Sequence, residues 1–248
     1  MRQELKQKLI EWADKYETQK FIESDPIKFP HRALEGCDPR SITNYQQQKV
    51  EAVAVITAWL SYGNRKQIIK VAGEVYEIVM QEGFFEKRLY RAFRNNNNTL
   101  YRFYKWSDLY CLCERLRLIL QSYRSLESYF IQTENKDPLL FLIRVFKGVK
   151  GFPVNNKSAC KRLCLLLRWL GRWDSPVNLV IWLIRKKDEL IIPLDTHVHR
   201  MALELGLTKR KQADMRTAVE ITEALREVFP DDPTRGDFAL FGYGIENK

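Results

Sequence analysis

The chain has 248 residues, 45% of them apolar and 12% aromatic, and its 41 Lys and Arg against 31 Asp and Glu give a formal net charge of +10. That composition excludes a disordered chain, and no run of about 18 apolar residues offers a membrane-spanning helix. The basic excess points to an anionic partner, nucleic acid or an acidic membrane surface.

The opening stretch, "MRQELKQKLIEWADKYETQK", has an amphipathic helix pattern without the layout of a cleavable signal, so a cytoplasmic protein is expected. "DPIKFPHR", Asp25–Arg32, reads as two proline-punctuated turns in an extended strap. From Tyr45 to Leu60 the positions Val50, Val53, Ala54, Thr57 and Leu60 follow helix spacing, and Gly63 ends that helix. Asn64 starts the next, with Gln67 three residues on in a capping-box-like arrangement, and Ile68, Ala72, Val75 and Val79 form its apolar stripe. "FRNNNNTLYRFYKW" is a polar, basic and aromatic connection. Helices are predicted again over 107–131 and 138–146, then after the Gly/Pro/Asn break "KGVKGFPVNNK" over 158–170, 176–184, 196–205, 214–228 and 233–241. No alternating run marks a sheet, so the prediction is an all-α protein of about ten helices.

The five cysteines are Cys37, Cys111, Cys113, Cys160 and Cys164, and an odd count without a signal argues against a disulfide framework. Cys111 and Cys113 point apart on a helix, and His197 and His199, two apart, cannot both face one ion, so no metal site is expected.

Between Pro138 and Trp173 there is no acid, while Arg144, Lys147, Lys150, Lys157, Lys161, Arg162, Arg168 and Arg172 all fall there. On the helix that follows Asn156, Leu163, Leu166, Leu167 and Leu170 share one face. Lys161, Arg168 and Arg172 lie opposite, with Lys157 one turn earlier. A stripe of one sign repels itself, and a phosphate backbone relieves that. Further along, Asp195 falls between the apolar "IIPL" and a helix with Val198, Met201, Ala202 and Leu205 on one face, so its simplest role is the N-cap. A capping carboxylate is held ionised by the helix N-terminus and can stabilise a developing cation or orient a nucleophile.

"IIPLDTHVHRMALELGL" resembles the aspartate segment of the helix-hairpin-helix DNA glycosylase superfamily of base-excision repair. The resemblance implies two helical lobes holding DNA at a cleft, expected here as one lobe of about 44–185 and another of about 1–43 plus 186–248. It implies that Asp195 is catalytic. The superfamily's glycine-rich hairpin is missing, and "GFPVNNKSACKRL" is the nearest candidate for it. The cluster-binding branch carries four C-terminal cysteines, whereas here none follows Cys164, so no iron–sulfur cofactor is expected. The setting of Lys161 resembles that of the catalytic lysine in an archaeal 8-oxoguanine-acting branch, with Lys157 as the second choice. The whole chain also resembles a bacterial family without assigned function, through "DPIKFPHR", "YGNRKQI" (Tyr62–Ile68) and "KRLCLLLRWLGR" (Lys161–Arg172).

By this resemblance the partner is double-stranded DNA containing a damaged base such as 8-oxoguanine, with neither a membrane nor an obligate protein partner. A base in a duplex must be flipped out before it is cut. Lys161 would attack the sugar C1′ and Asp195 would stabilise the cationic sugar; if Lys161 only binds phosphate, Asp195 would activate water instead. Lys157, Arg162, Arg168, Arg172, His197, Asn64, Arg65 and Lys66 are the candidates for DNA contact. Trp169, Trp173 and Trp106 are candidates for stacking on the flipped base, with a buried core position as the competing reading for each. The alternatives are a non-enzymatic nucleic-acid-binding protein on the same scaffold and a helical protein with an acidic protein partner.

Overall fold

The computed structural model describes residues 1–38, 41–134, 136–183 and 187–247. In chain order the helices are α1 (Gln3–Tyr16), α2 (Gln19–Glu23), α3 (Lys28–Leu34), α4 (Asn44–Leu60), α5 (Arg65–Val79), α6 (Trp106–Ser122), α7 (Leu126–Gln132), α8 (Pro138–Val145), α9 (Lys161–Gly171), α10 (Thr196–Glu204), α11 (Met215–Arg226) and α12 (Gly236–Glu246). Beside them, among the described residues, stand three short 3-10 turns and one hairpin of β1 (Thr99–Tyr101) and β2 (Tyr104–Lys105). The protein is therefore essentially all-α. Two compact units emerge, one of Asp25–Val154 and one of Met1–Ser24 with Asn155–Lys248. Lys161 and Asp195 both belong to the second of these units.

In the Asp25–Val154 unit, α4 is the centre. It is capped by Thr43 and Gln46 in a reciprocal capping box, and every residue from Val50 to Leu60 is buried. One of these is Glu51, whose carboxylate accepts the N–H groups of Leu126 (2.7 Å) and Glu127 (3.3 Å) at the start of α7. A buried acid is tolerable there because it satisfies free helix-end donors and meets the positive end of the helix dipole. The "DPIKFPHR" segment is not an extended strap. Lys28–Leu34 is helical, and Pro30 sits in its first turn, where the missing N–H has no helical partner to lose. Asn64 caps α5 as expected, accepting from the N–H groups of Lys66 and Gln67.

In the other unit, α1 lies along α12. The Trp12 indole N–H donates to Glu246 (2.8 Å), and Leu9 and Ala13 enter a core with Ile192, Leu194, Met201, Ile221, Leu225 and Leu240. Helix α9 begins at Lys161 and not at Ser158, because Cys160 takes a left-handed backbone (φ 49°) and Ser158 bridges to Asp214. The helix expected over 176–184 is absent from 176–183, and Ile184 lies outside the described residues. The N–H groups of Leu179 and Trp182 instead donate to the carbonyls of Trp169 (2.8 Å) and Leu170 (2.9 Å), satisfying the C-terminal end of α9 rather than a helix of their own.

Candidate functional site

Asp195 follows the buried run Ile192, Pro193 and Leu194, where the Ile192 N–H donates to the Thr222 hydroxyl on α11 (3.1 Å). That anchor fixes the chain as it enters α10. One carboxylate oxygen of Asp195, Oδ1, accepts the N–H groups of His197 (2.9 Å) and Val198 (2.8 Å) and so caps α10. The other, Oδ2, lies 3.2 Å from Lys161 Nζ. Neither side chain is sealed: Lys161 is 28% exposed and Asp195 33%. Lys161 is the first residue of α9, and its position is set by the left-handed turn at Cys160, the Ser158–Asp214 bridge and the Met215 N–H donating to the Lys157 carbonyl (3.3 Å). The starts of α9 and α11 are thus tied together, which aims the Lys161 side chain at the start of α10.

Two further charges complete the cluster. Arg168, two turns along α9, makes an ion pair with Asp237 in the first turn of α12. Burial pushes the Asp237 carboxyl above its ordinary range; Arg168 opposes that push and the negative Asp195 adds to it. For Asp195, partial burial also works against ionisation, but the Lys161 ammonium and the Val198 N–H outweigh it and hold the carboxyl below its ordinary range. Two acids in one cluster therefore depart in opposite directions, an arrangement that assigns separate roles to neighbouring carboxylates. Sequence reasoning gave no chemistry to Asp237. The signal that could have found it is the acid-free stretch from Pro138 to Trp173, whose cations need counter-charges from elsewhere.

Other expected site residues fall into three groups. Arg162 and His197 are half-buried and Lys157 is exposed, all in the unit that holds the pair. The His197 imidazole is pinned by α12, where a Cβ on Gly244 would run into it. The buried His199 is hydrogen-bonded through Nε2 to the Arg210 carbonyl (2.7 Å). Trp173 is 44% exposed, with Lys187 Nζ 4.3 Å from its ring centroid.

Arg168 and Arg172, expected to contact DNA, are buried, and Trp169 takes the core position that competed with base stacking. Both arginines are only 1% exposed. Arg172 is bound by Asp232 through Nε and Nη2 (2.8 and 2.7 Å) and by Glu17 through Nη1, and the Phe238 ring lies beside both guanidinium groups. The stripe's self-repulsion is relieved by carboxylates of the same chain, so these two side chains are not available to phosphates. Trp169 is wholly buried and cannot receive a base.

The last group, Asn64, Arg65, Lys66 and Trp106, belongs to the Asp25–Val154 unit. There Arg65 pairs with Asp25 (2.8 Å) and Trp106 packs on Phe93 (4.9 Å).

Among the described residues no three His, Cys, Asp or Glu side chains come together to hold a metal ion, and no helix is long and apolar enough to cross a membrane. All five cysteines are free thiols, three of them (Cys37, Cys111 and Cys113) in the Asp25–Val154 unit and two (Cys160 and Cys164) in the other. A family model described as "Protein of unknown function (DUF2400)" matches residues 25–246. Endonuclease III of Thermotoga maritima is 38% identical over 83 residues, which cover 32% of this chain and 36% of the endonuclease. The chain thus spans about a third of the length of that curated relative. No solved structure matches the chain.

Proposed function

The chain belongs to the DUF2400 family, and from its Lys161–Asp195 pair we propose that it is a DNA glycosylase of base-excision repair, removing a damaged base from a duplex by flipping it out. The observation that carries this reading is the 3.2 Å approach of a partly exposed amine to a carboxylate that a helix N-terminus keeps ionised. The partial likeness to an endonuclease III supports it. An amine attacks carbon only when unprotonated, and Asp195 Oδ2 is the base placed to take the Lys161 proton. The Nζ–C1′ bond then forms as the C1′–N bond to the base breaks; the departing base keeps the bonding electrons and takes the proton from Asp195, which becomes a carboxylate again. The sugar carries positive charge as the base leaves, and once its proton has passed to the base the restored Asp195 carboxylate faces that charge. Of the two lysines, Lys161 is the one that reaches Asp195, so it is the proposed nucleophile. Lys157, Arg162 and His197 are the proposed phosphate contacts.

A nucleic-acid-binding protein without chemistry is the second reading. What favours it is the ion pair itself, because a paired ammonium is not yet a nucleophile. Borohydride reduction in the presence of duplexes carrying 8-oxoguanine and other damaged bases separates the readings. The expected result is a covalent protein–DNA adduct with one lesion, lost in Lys161→Ala. Base release without an adduct, abolished in Asp195→Asn, would assign the attack to water. Tight binding with neither release nor adduct across the panel would leave only the second reading.

A further inference from the structure

In the Asp25–Val154 unit, the turn between β1 and β2 meets the loop between α4 and α5. Two large aromatic side chains are partly exposed there, Tyr62 at 43% and Phe103 at 45% exposure, with ring centroids 5.5 Å apart. The Arg102 guanidinium lies 5.0 Å from the Tyr62 centroid, and Lys150 Nζ donates to the Phe103 carbonyl (2.5 Å). This cluster is rigidly built. Arg102 sits in the left-handed region (φ 53°), and Gly63, at φ +103°, is where a Cβ would run into the Arg102 guanidinium and the Tyr101 hydroxyl. That hydroxyl donates to the Tyr62 carbonyl (2.7 Å), and beneath the turn Tyr104 is buried with its ring 4.0 Å from that of Trp59.

The exposed charge around the turn is mostly positive, and the nearby Asp108 carboxylate is taken up by the Lys105 N–H and by Lys150 (2.8 Å each). Between Glu86 and Asp108 there is no acid, and Lys87, Arg88, Arg91, Arg94, Arg102 and Lys105 all fall there. Five of the six are exposed; Arg88 is half-buried. Partly exposed aromatic rings set among cations complement a nucleic-acid strand, whose bases offer π faces and whose phosphates offer negative charge.

We propose that Tyr62, Arg102 and Phe103 form a stacking platform for an unpaired base of a nucleic-acid strand, with Arg102 and Lys105 on the neighbouring phosphates. This deepens the nucleic-acid reading above but needs neither Lys161 nor Asp195, so undamaged strands test it without chemistry and the two readings fail separately. The full chain is titrated into single strands and bulged duplexes that carry 2-aminopurine, and into the fully paired duplex. Stacking quenches the fluorescence of the unpaired probe and leaves the paired one unchanged. Phe103→Ala and Tyr62→Ala are expected to weaken binding of the unpaired probe about ten-fold and to abolish the quench, with the salt dependence unchanged. Arg102→Ala is expected to lower the slope of log K against log salt by about one. Phe103→Trp should retain the quench, which separates loss of stacking from loss of fold. Equal affinity and quenching in wild type and Phe103→Ala would overturn the proposal. So would binding to phosphatidylserine vesicles in the absence of strand binding.

Discussion

The two oxygens of Asp195 face different partners, Oδ1 the N–H groups of His197 and Val198 and Oδ2 the Lys161 ammonium. Asparagine keeps an oxygen for the cap and removes the charge; alanine removes both. Asp195→Ala is therefore expected to be less stable than Asp195→Asn by about 1 kcal/mol, the usual worth of an N-cap, in urea unfolding. Under the proposed function both variants lose base release. The pH dependence has a definite sign. The folded carboxyl is held below its ordinary range, by Lys161 and the Val198 N–H against the opposing effect of burial. Its charge thus stabilises the fold above the unfolded value of about 3.9, and that contribution disappears as pH falls through the lower folded value. The stability gap between wild type and Asp195→Asn should be constant from neutral pH down to mildly acid pH and then close. A gap that instead widened in acid would mean that the ion pair does not hold the carboxylate.

At the scale of the element, α9 shows what was legible in the sequence and what was not. Its leucine face is local information, and Leu163, Leu166, Leu167 and Leu170 are buried as their spacing implies. The caps Asn64 and Asp195 are local too: a short polar side chain just before an apolar periodic run has one economical use. The fate of the opposite face was not legible, because the partners lie far away in the chain. Asp232 is 60 residues from Arg172, Glu17 is 155, and Asp237 is 69 from Arg168. The 176–183 stretch misled for another reason: buried Val177, Leu179, Ile181 and Trp182 carry no reliable period, since burial on several sides erases the contrast that periodicity reads. Within the candidate site, Lys161 and Asp195 were singled out by resemblance to a known segment, and nothing in spacing alone joined them. The Arg172 cluster has a measurable consequence. Arg172→Leu leaves the mostly buried Asp232 without its Arg172 partner and takes from the buried Glu17 one of its two arginines, Arg235 (3.1 Å) being the other. Removing one partner of such a cluster is expected to cost about 3–5 kcal/mol, seen as a lower urea midpoint with unchanged slope. A loss as small as that of an exposed substitution such as Lys157→Ala would mean the cluster does not carry stability.

For the whole molecule, the formal charge of +10 already counts the acids that neutralise Arg168 and Arg172 inside the fold, so what a polyanion meets depends on which cations are exposed and not on the total. Binding to duplex DNA releases one set of counterions per phosphate engaged, so log K falls with log salt by about 0.9 for each contact. Only cations that reach the phosphates enter that slope. Lys157 is exposed and Arg162 half-exposed near the start of α9, where the proposed chemistry takes place. Lys157→Ala and Arg162→Ala should each reduce the slope by about one, weakening binding to all sequences alike. Arg168→Met should leave the slope as it is, while lowering stability because Asp237 loses its partner. The measurement is a set of equilibrium titrations with one duplex between about 50 and 200 mM salt, the range over which several contacts change affinity by orders of magnitude. If Arg168→Met flattened the slope and Lys157→Ala and Arg162→Ala did not, the DNA would be reading the far end of α9. The buried ion pairs would then have to open for it, and the site at Asp195 would not be where the duplex lies.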